Sequence, residues 1–198
     1  MKKQRRATIG IISDTHGLVR PEALAALHGV DLILHAGDVG GAEVLEALRV
    51  IAPVIAVRGN NDKAPWAFAL PLTKRIEIAG ALLYVIHDVN ELGIEPKDHR
   101  VRAVIYGHSH KALVNRQGGV LWVNPGSAGP RRFTLPVSVV KMIVEDGDVR
   151  AEIVTLDPMD KKAPKKRARV TAVSPKKKAR KAKAKGVTQK KKRAPGGR

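Results

Sequence analysis

Two imidazoles stand two residues apart in the run YGHSH, residues 106–110, directly behind the apolar run VRAVI. Four other segments share that form: an apolar run that ends in side chains able to hold a cation. IISDTHG delivers Asp14 and His16, LILHAGD delivers Asp38, IAVRGNND delivers Asn60 and LLYVIHD delivers His87, while YGHSH itself delivers His108 and His110. Two carboxylates, one amide oxygen and four imidazoles form a mixed nitrogen and oxygen donor set. Such a set suits Mn, Fe, Zn or Ni better than Ca or Mg. Seven donors on one rim are enough for two divalent ions that share an oxygen ligand. An ion pair of that kind, about 3.5–4 Å apart, clamps a phosphoryl group and activates a water. Two dications against two aspartates leave a charge of about +2, which a hydroxide and a phosphodiester monoanion bring close to zero. The chemistry to expect is attack on one anionic ester.

The rim has to be built by strands. ATIGII, DLILHA and VIAVRG read as β-strands, with PEALAALHG and AEVLEALRVI between them as helices. The first helix has Pro21 near its start and Gly29 as its stop. This β-α-β-α-β order predicts a parallel sheet, and in such sheets ligands gather at the carboxyl ends of the strands. From Thr73 the texture changes. TKRIEIAGALLYVIH predicts two strands joined at Ala79-Gly80, and VRAVIYG predicts one more. ALVNRQGGVLWV and VSVVKMIVEDGDVRAEIV predict hairpins that turn at residues 117–119 and 146–148, and residues 88–100 a loop with a short helix. The fold class expected is α/β, with two sheets packed face to face and helices outside.

The chain has 198 residues, 43% of them hydrophobic, which is ample for one folded domain. It contains no cysteine, so disulfides and thiolate metal sites are excluded. The net charge of +19 is not spread evenly. Residues 1–160 carry 19 Lys+Arg against 18 Asp+Glu, whereas residues 161–198 carry 18 Lys+Arg and no acid. The expected organisation is therefore a nearly neutral domain, 1–160, and a disordered Lys/Ala/Arg/Pro-rich basic tail, 161–198. The start, MKKQRRATIGII, is basic and then apolar, but the apolar part is too short for a secretory or membrane segment. No other segment approaches membrane length. A cytoplasmic protein with no membrane association is expected.

The ordered set D-x-H, G-D, G-N-x-D, a lone histidine after a strand and G-H-x-H resembles the calcineurin-like metallophosphoesterases. The GNND run and the NPGS run, Asn124 to Ser127, resemble the small YfcE-type phosphodiesterases in particular. The resemblance spans about residues 7–156. It implies a four-layer α/β/β/α sandwich of two mixed sheets. It also implies one metal on Asp14, His16 and His110, a second on Asn60, His87 and His108, and Asp38 bridging them. Asp38, Asn60 and His87 take the catalytic positions. Two divalent ions are implied, Mn2+ first, with Fe, Zn or Ni as alternatives. A hydroxide between the metals would attack phosphorus in line, and the leaving alkoxide would depart opposite. The substrate would be a small phosphodiester or nucleotide-type ester, and relatives that associate imply a homo-oligomer.

Two positions depart from the family. Larger relatives place a histidine after the metal-binding asparagine, where it can protonate the leaving group or stabilise the transition state. Here Asn61 stands there and cannot donate a proton usefully at neutral pH. Activated or diester substrates are expected to be favoured. His87 is followed by Asp88, which either orients His87 or turns the loop. The segment NPGSAGPRR offers Asn124 and Ser127 as loop fixers or substrate contacts, and Arg131 as a bidentate phosphate partner or a solvated cation. With Asn61, these are the substrate-binding candidates. His35 reads as a packed histidine behind the ligands, Asp62 as a partner or cap of the Asn60 loop, and Trp66 and Phe68 as core more readily than pocket mouth. His28 and His99 are assigned nothing.

Three readings of the tail are open: a solubilising run, a nuclear import signal, and a tether for nucleic acid or another polyanion. Residues 161–198 contain no aromatic residue, so any nucleic-acid binding would be nonspecific and salt-sensitive. Two rival functions are a catalytically idle scaffold, like the phosphoesterase-fold subunit of retromer, and a nucleic-acid-associated protein led by its tail. An idle site has no physical need for seven donors.

Overall fold

A computed structural model describes residues 5–92, 100–132 and 134–156. The basic tail, His99 and most of the segment expected to hold a short helix lie outside the described residues. Two five-stranded mixed sheets pack face to face. The first has the order β10-β9-β1-β2-β3, with β1 Arg6–Ile12, β2 Leu32–His35, β3 Val54–Ala56, β9 Ser138–Glu145 and β10 Asp148–Thr155. The second has the order β4-β5-β6-β8-β7, with β4 Thr73–Ile78, β5 Ala81–Ile86, β6 Val101–Ile105, β7 Leu113–Gln117 and β8 Val120–Asn124.

Within each sheet three neighbouring strands run parallel: β1, β2 and β3 in one, β5, β6 and β8 in the other. Antiparallel strands close both edges of the second sheet and one edge of the first, whose other edge is the parallel strand β3. The β9–β10 hairpin, last in the chain, returns to the first sheet and pairs with β1 from Arg6↔Glu145 to Ile11↔Val140. Alternation along each strand sorts the side chains into layers. Ile9, Ile11, Leu32, Leu34, Val140 and Met142 face Leu83, Val85, Ile105 and Val123 between the sheets.

On the outer side of the first sheet, α1 Pro21–Leu27 and α2 Ala42–Arg49 cover Ile12, Ile33 and Val139. Neither helix is long enough to be stable alone, so packing holds them. Leu27 is fully buried, and its Cδ2 lies where a Cβ at position 10 would be, so Gly10 opens the seat for α1. Burying one such leucine stabilises the fold by about 2 kcal/mol. On the outer side of the second sheet, Tyr84, Ile86, Val104 and Val120 form a smaller cluster. Among the described residues that cluster is joined by Leu92, beside the 3-10 turn Val89–Glu91.

This topology points the carboxyl ends of β1, β2, β3, β5, β6 and β8 at one rim. Each expected donor lies within a few residues of one of those ends.

Candidate metal centre

The loop after β1 is held by its neighbour after β2. Asp14 N donates to Gly37 O and His16 N to Asp38 O, both at 3.0 Å. The NPGS segment closes the other side, where Ala128 N donates to Ser13 O at 3.0 Å. Gly107 allows the GHSH loop to lie against this floor, since a Cβ there would collide with Ser13 Oγ. Asp14, His16, Asp38, His108 and His110 all have φ between 46° and 65°. Left-handed backbone costs a non-glycine residue about 1 kcal/mol or more, and it persists only where surrounding bonds impose it. Among the described residues, the two other non-glycine residues with positive φ, Ala79 and Asp146, sit in hairpin turns.

Two close groups result. Asp14, His16 and His110 each offer an atom within 4.8 Å of the others, and so do Asp14, Asp38 and His87. His110 Nε2 lies 3.2 Å from Asp14 Oδ1, and His16 Nε2 lies 3.4 Å from His110 Nε2. Asn60 Oδ1 joins the second group, 2.9 Å from His87 Nε2 and 3.1 Å from His108 Nδ1. His87 Nε2 is also 3.5 Å from Asp38 Oδ2. Asp14 Oδ1 is fully buried and accepts no hydrogen bond among the described residues. A buried carboxylate oxygen without a donor is costly, and a cation beside it removes that cost. The donor set and this orphan oxygen fit divalent metal ions.

The surroundings orient these donors. His87 Nδ1 donates to Ala36 O at 2.8 Å, which turns Nε2 toward Asn60 and Asp38. Asp14 Oδ2 accepts from Ser13 Oγ at 2.7 Å and from His108 N at 3.1 Å. Asn61 holds both oxygens of Asp38, through its backbone N–H at 2.8 Å and its Nδ2 at 2.6 Å. The Asp62 carboxylate accepts from Val39 N, Gly40 N and Gly59 N at 2.9–3.1 Å, tying the Asp38 loop to the Asn60 loop. His35, fully buried, accepts from Gly37 N at Nδ1, so its Nε2 carries the proton toward Thr15 Oγ1.

Burial opposes ionisation of Asp38, but hydrogen bonds from His87 and Asn61 outweigh it and hold the carboxyl far below the usual range. Burial also opposes the His87 imidazolium, yet the bonds to Asp38 and the Ala36 carbonyl raise its pKa above the ordinary value. Burial lowers His16, with Asp38 pulling the other way and Arg132 adding to the depression. Burial outweighs the pull of Asp14, Asp62 and Asp38 and takes His35 down to about 4.

Residues 8–172 match the calcineurin-like phosphoesterase superfamily domain. The chain belongs to that superfamily. A probable metallophosphoesterase of Methanocaldococcus jannaschii is 36% identical over 151 residues, covering 70% of this chain and 76% of the relative. A phosphodiesterase of the same archaeon is 28% identical over 137 residues, covering 60% of this chain and 82% of the relative. Among solved structures, Vps29 of Entamoeba histolytica complexed with Zn2+ matches at 26% identity and a TM-score of 0.57, over 76% of this chain and 99% of that one. The two mixed sheets of this phosphoesterase agree with the architecture implied by the sequence motifs.

All seven expected donors of this phosphoesterase converge on the rim. Asp14, Asp38, His87 and His110 are buried, while Asn60 and His108 are exposed at its opening. The substrate-binding candidates divide. Asn124 is fully buried, its Nδ2 donating to Gly107 O at 2.7 Å and its Oδ1 accepting from Gly126 N. Ser127 Oγ donates to Asp14 O at 2.9 Å. Both side chains are thus engaged in fixing the donor loops, the first of their two expected roles. Asn61 is exposed and bonded to Asp38, and Arg131 is exposed. The Arg132 guanidinium lies beside the cluster, its Nη2 3.4 Å from His16 Nε2. The sequence contains the Arg-Arg pair but does not show that Arg132 comes within reach of His16. Asp88 does not orient His87. Its Oδ1 accepts from Asn90 N at 2.9 Å to cap the 3-10 turn, and its Oδ2 lies 3.7 Å from His108 Nε2. Trp66 packs against the helix-side core, whereas Phe68 is 66% exposed and not core.

Proposed function

We propose that this phosphoesterase hydrolyses phosphodiesters at a dinuclear metal centre. Asp14, His16 and His110 would hold one ion, Asn60, His87 and His108 the other, with Asp38 between them. The observation that carries this reading is Asp14, a buried carboxylate that belongs to both close groups of ligand atoms and whose Oδ1 accepts no hydrogen bond among the described residues. When bound, the ions supply Lewis acidity toward the phosphoryl oxygens and a hydroxide at neutral pH, with Mn2+ the first choice. The relative named a phosphodiesterase supports a diester as substrate.

The residues of the chain do the positioning. Asn61 and Asp62 fix Asp38 and the Asn60 loop before any ligand arrives. Ala36 fixes the His87 tautomer. Arg132 brings a permanent cation within reach of a phosphoryl oxygen near His16. Exposed Asn60 and His108 mark the side from which an ester enters. In the net reaction, the oxygen of water forms the new bond to phosphorus and the bond to the leaving alkoxide breaks. One water proton ends on the released alcohol and the other in solvent. With Asn61 in place of an imidazole, esters with good leaving groups are favoured.

The test is hydrolysis of bis-p-nitrophenyl phosphate by the full chain, stripped with chelator and then reloaded with Mn2+. Turnover that appears only after reloading, and that is lost in Asp14→Asn, supports the reading. No metal-dependent turnover sinks it and favours a scaffold.

We further read residues 161–198 as a separate, sequence-blind polyanion-binding segment, on charge alone: 18 Lys+Arg and no acid. Binding to duplex DNA that weakens steeply with salt, and that vanishes on removing 161–198 while hydrolysis persists, is the expected result. Salt-insensitive binding, or none, rejects it.

A further inference from the structure

Beside the ligand cluster lies a cavity of about 480 Å³ that Asn60 and His87 help to line. That is the size of a pocket for a small organic ligand. Its lining also includes Phe68 and Leu72, 66% and 58% exposed, two of the few large apolar side chains left open to solvent among the described residues. The Arg58 guanidinium lies 5.0 Å from the centre of the Phe68 ring. Lys63 and Glu91 line the same cavity, and their side chains make no hydrogen bond or ion pair among the described residues. An exposed ring stacked with a guanidinium, flanked by one unpartnered donor and one unpartnered acceptor, has the chemistry that binds a planar heteroaromatic group with polar edges. An alkyl or lipid chain would leave Lys63, Glu91 and Arg58 desolvated without partners.

We infer that this cavity takes the nucleobase of a nucleotide ester whose phosphate sits at the ligand cluster. The inference rests on the phosphodiesterase reading and names its substrate class. The base stacks on Phe68 and Arg58, its edge meets Lys63 or Glu91, and the sugar spans the step past Asn60 to the phosphate. Asp88 is less available to the base, because its Oδ1 already accepts from Asn90.

The probes are adenosine 5′-monophosphate and ribose 5-phosphate, identical except for the base, titrated calorimetrically into the Mn2+-loaded full chain. Adenosine 5′-monophosphate should bind at least about tenfold more tightly. Phe68→Ala should bring it down to the affinity of ribose 5-phosphate and leave ribose 5-phosphate unchanged; Phe68→Leu should fall between. Equal affinities for the two probes, or a Phe68→Ala variant that weakens both alike, overturn the inference. So does a Phe68→Ala variant that shifts the sedimentation coefficient from dimer to monomer while leaving the base preference intact; the ring would then belong to an interface between copies. A base preference without hydrolysis of any diester leaves the pocket standing and removes the phosphodiesterase reading. Hydrolysis of bis-p-nitrophenyl phosphate without a base preference does the reverse.

Discussion

Asn61 Nδ2 lies 2.6 Å from Asp38 Oδ2, so the residue that stands where larger relatives carry an imidazole is a hydrogen-bond partner of the central carboxylate. Its backbone N–H holds the other oxygen. The position therefore serves to orient Asp38 rather than to transfer a proton. Asn61→His should raise turnover of diesters with poor alkoxide leaving groups by about 100-fold relative to bis-p-nitrophenyl phosphate. Steady-state rates on a methyl and a nitrophenyl diester measure that ratio. An unchanged ratio would mean that the leaving group is protonated from elsewhere.

Asp14 touches both groups of ligand atoms, so its removal should not cost one ion alone. Asp14→Asn keeps the shape and the bond from Ser13 but replaces a charged oxygen. Metal analysis after gel filtration should show fewer than one ion per chain, against two for the parent. Metal affinity should fall by more than about 100-fold, beyond the usual cost of losing an outer hydrogen bond. Retention of two ions would exclude Asp14 as a ligand.

Asp62 is in neither close group of ligand atoms, yet three backbone N–H groups depend on it. Asp62→Ala leaves them without an acceptor and should destabilise the fold by about 3 kcal/mol. Metal binding should weaken by about 10- to 100-fold, because the Asp38 and Asn60 loops lose their tie. Urea unfolding and metal titration test the two effects separately.

Stability should depend on His35 in acid. Its imidazole titrates at about 6.5 in the unfolded chain and at about 4 in the fold, where burial disfavours the charged form. Above pH 6.5 both states are neutral at this site and it contributes no slope. Between 6.5 and 4 the unfolded chain binds the proton more readily, so stability falls as pH falls. The loss levels off below 4, at about 3 kcal/mol. Urea midpoints of metal-free protein from pH 7 to 4 should show this slope, and His35→Asn should flatten it.

Much of the fold is legible in the sequence because local signals agree. Pro21 and Gly29 bracket α1, apolar runs mark the strands, and Gly-rich turns mark the hairpins. What sequence does not carry is the return of β9–β10 to pair with β1. That pairing joins residues more than a hundred positions apart, and the two-residue alternation of a strand does not name its partner. The site divides in the same way. Its donors are visible because each ends an apolar run. The roles of Arg132, Asp88 and Phe68 depend on where side chains meet across loops, and neighbours in sequence did not fix them.

The backbone twist at five of the donors reaches beyond chemistry. Asp14, His16, Asp38, His108 and His110 sit in a conformation that glycine enters freely and alanine does not. Scanning the donors with alanine and with glycine should therefore give different answers for the same lost ligand, with the glycine forms the sturdier. A chain released from selection for its reaction would be expected to drift toward glycine at these five points and grow harder to unfold as it fell idle.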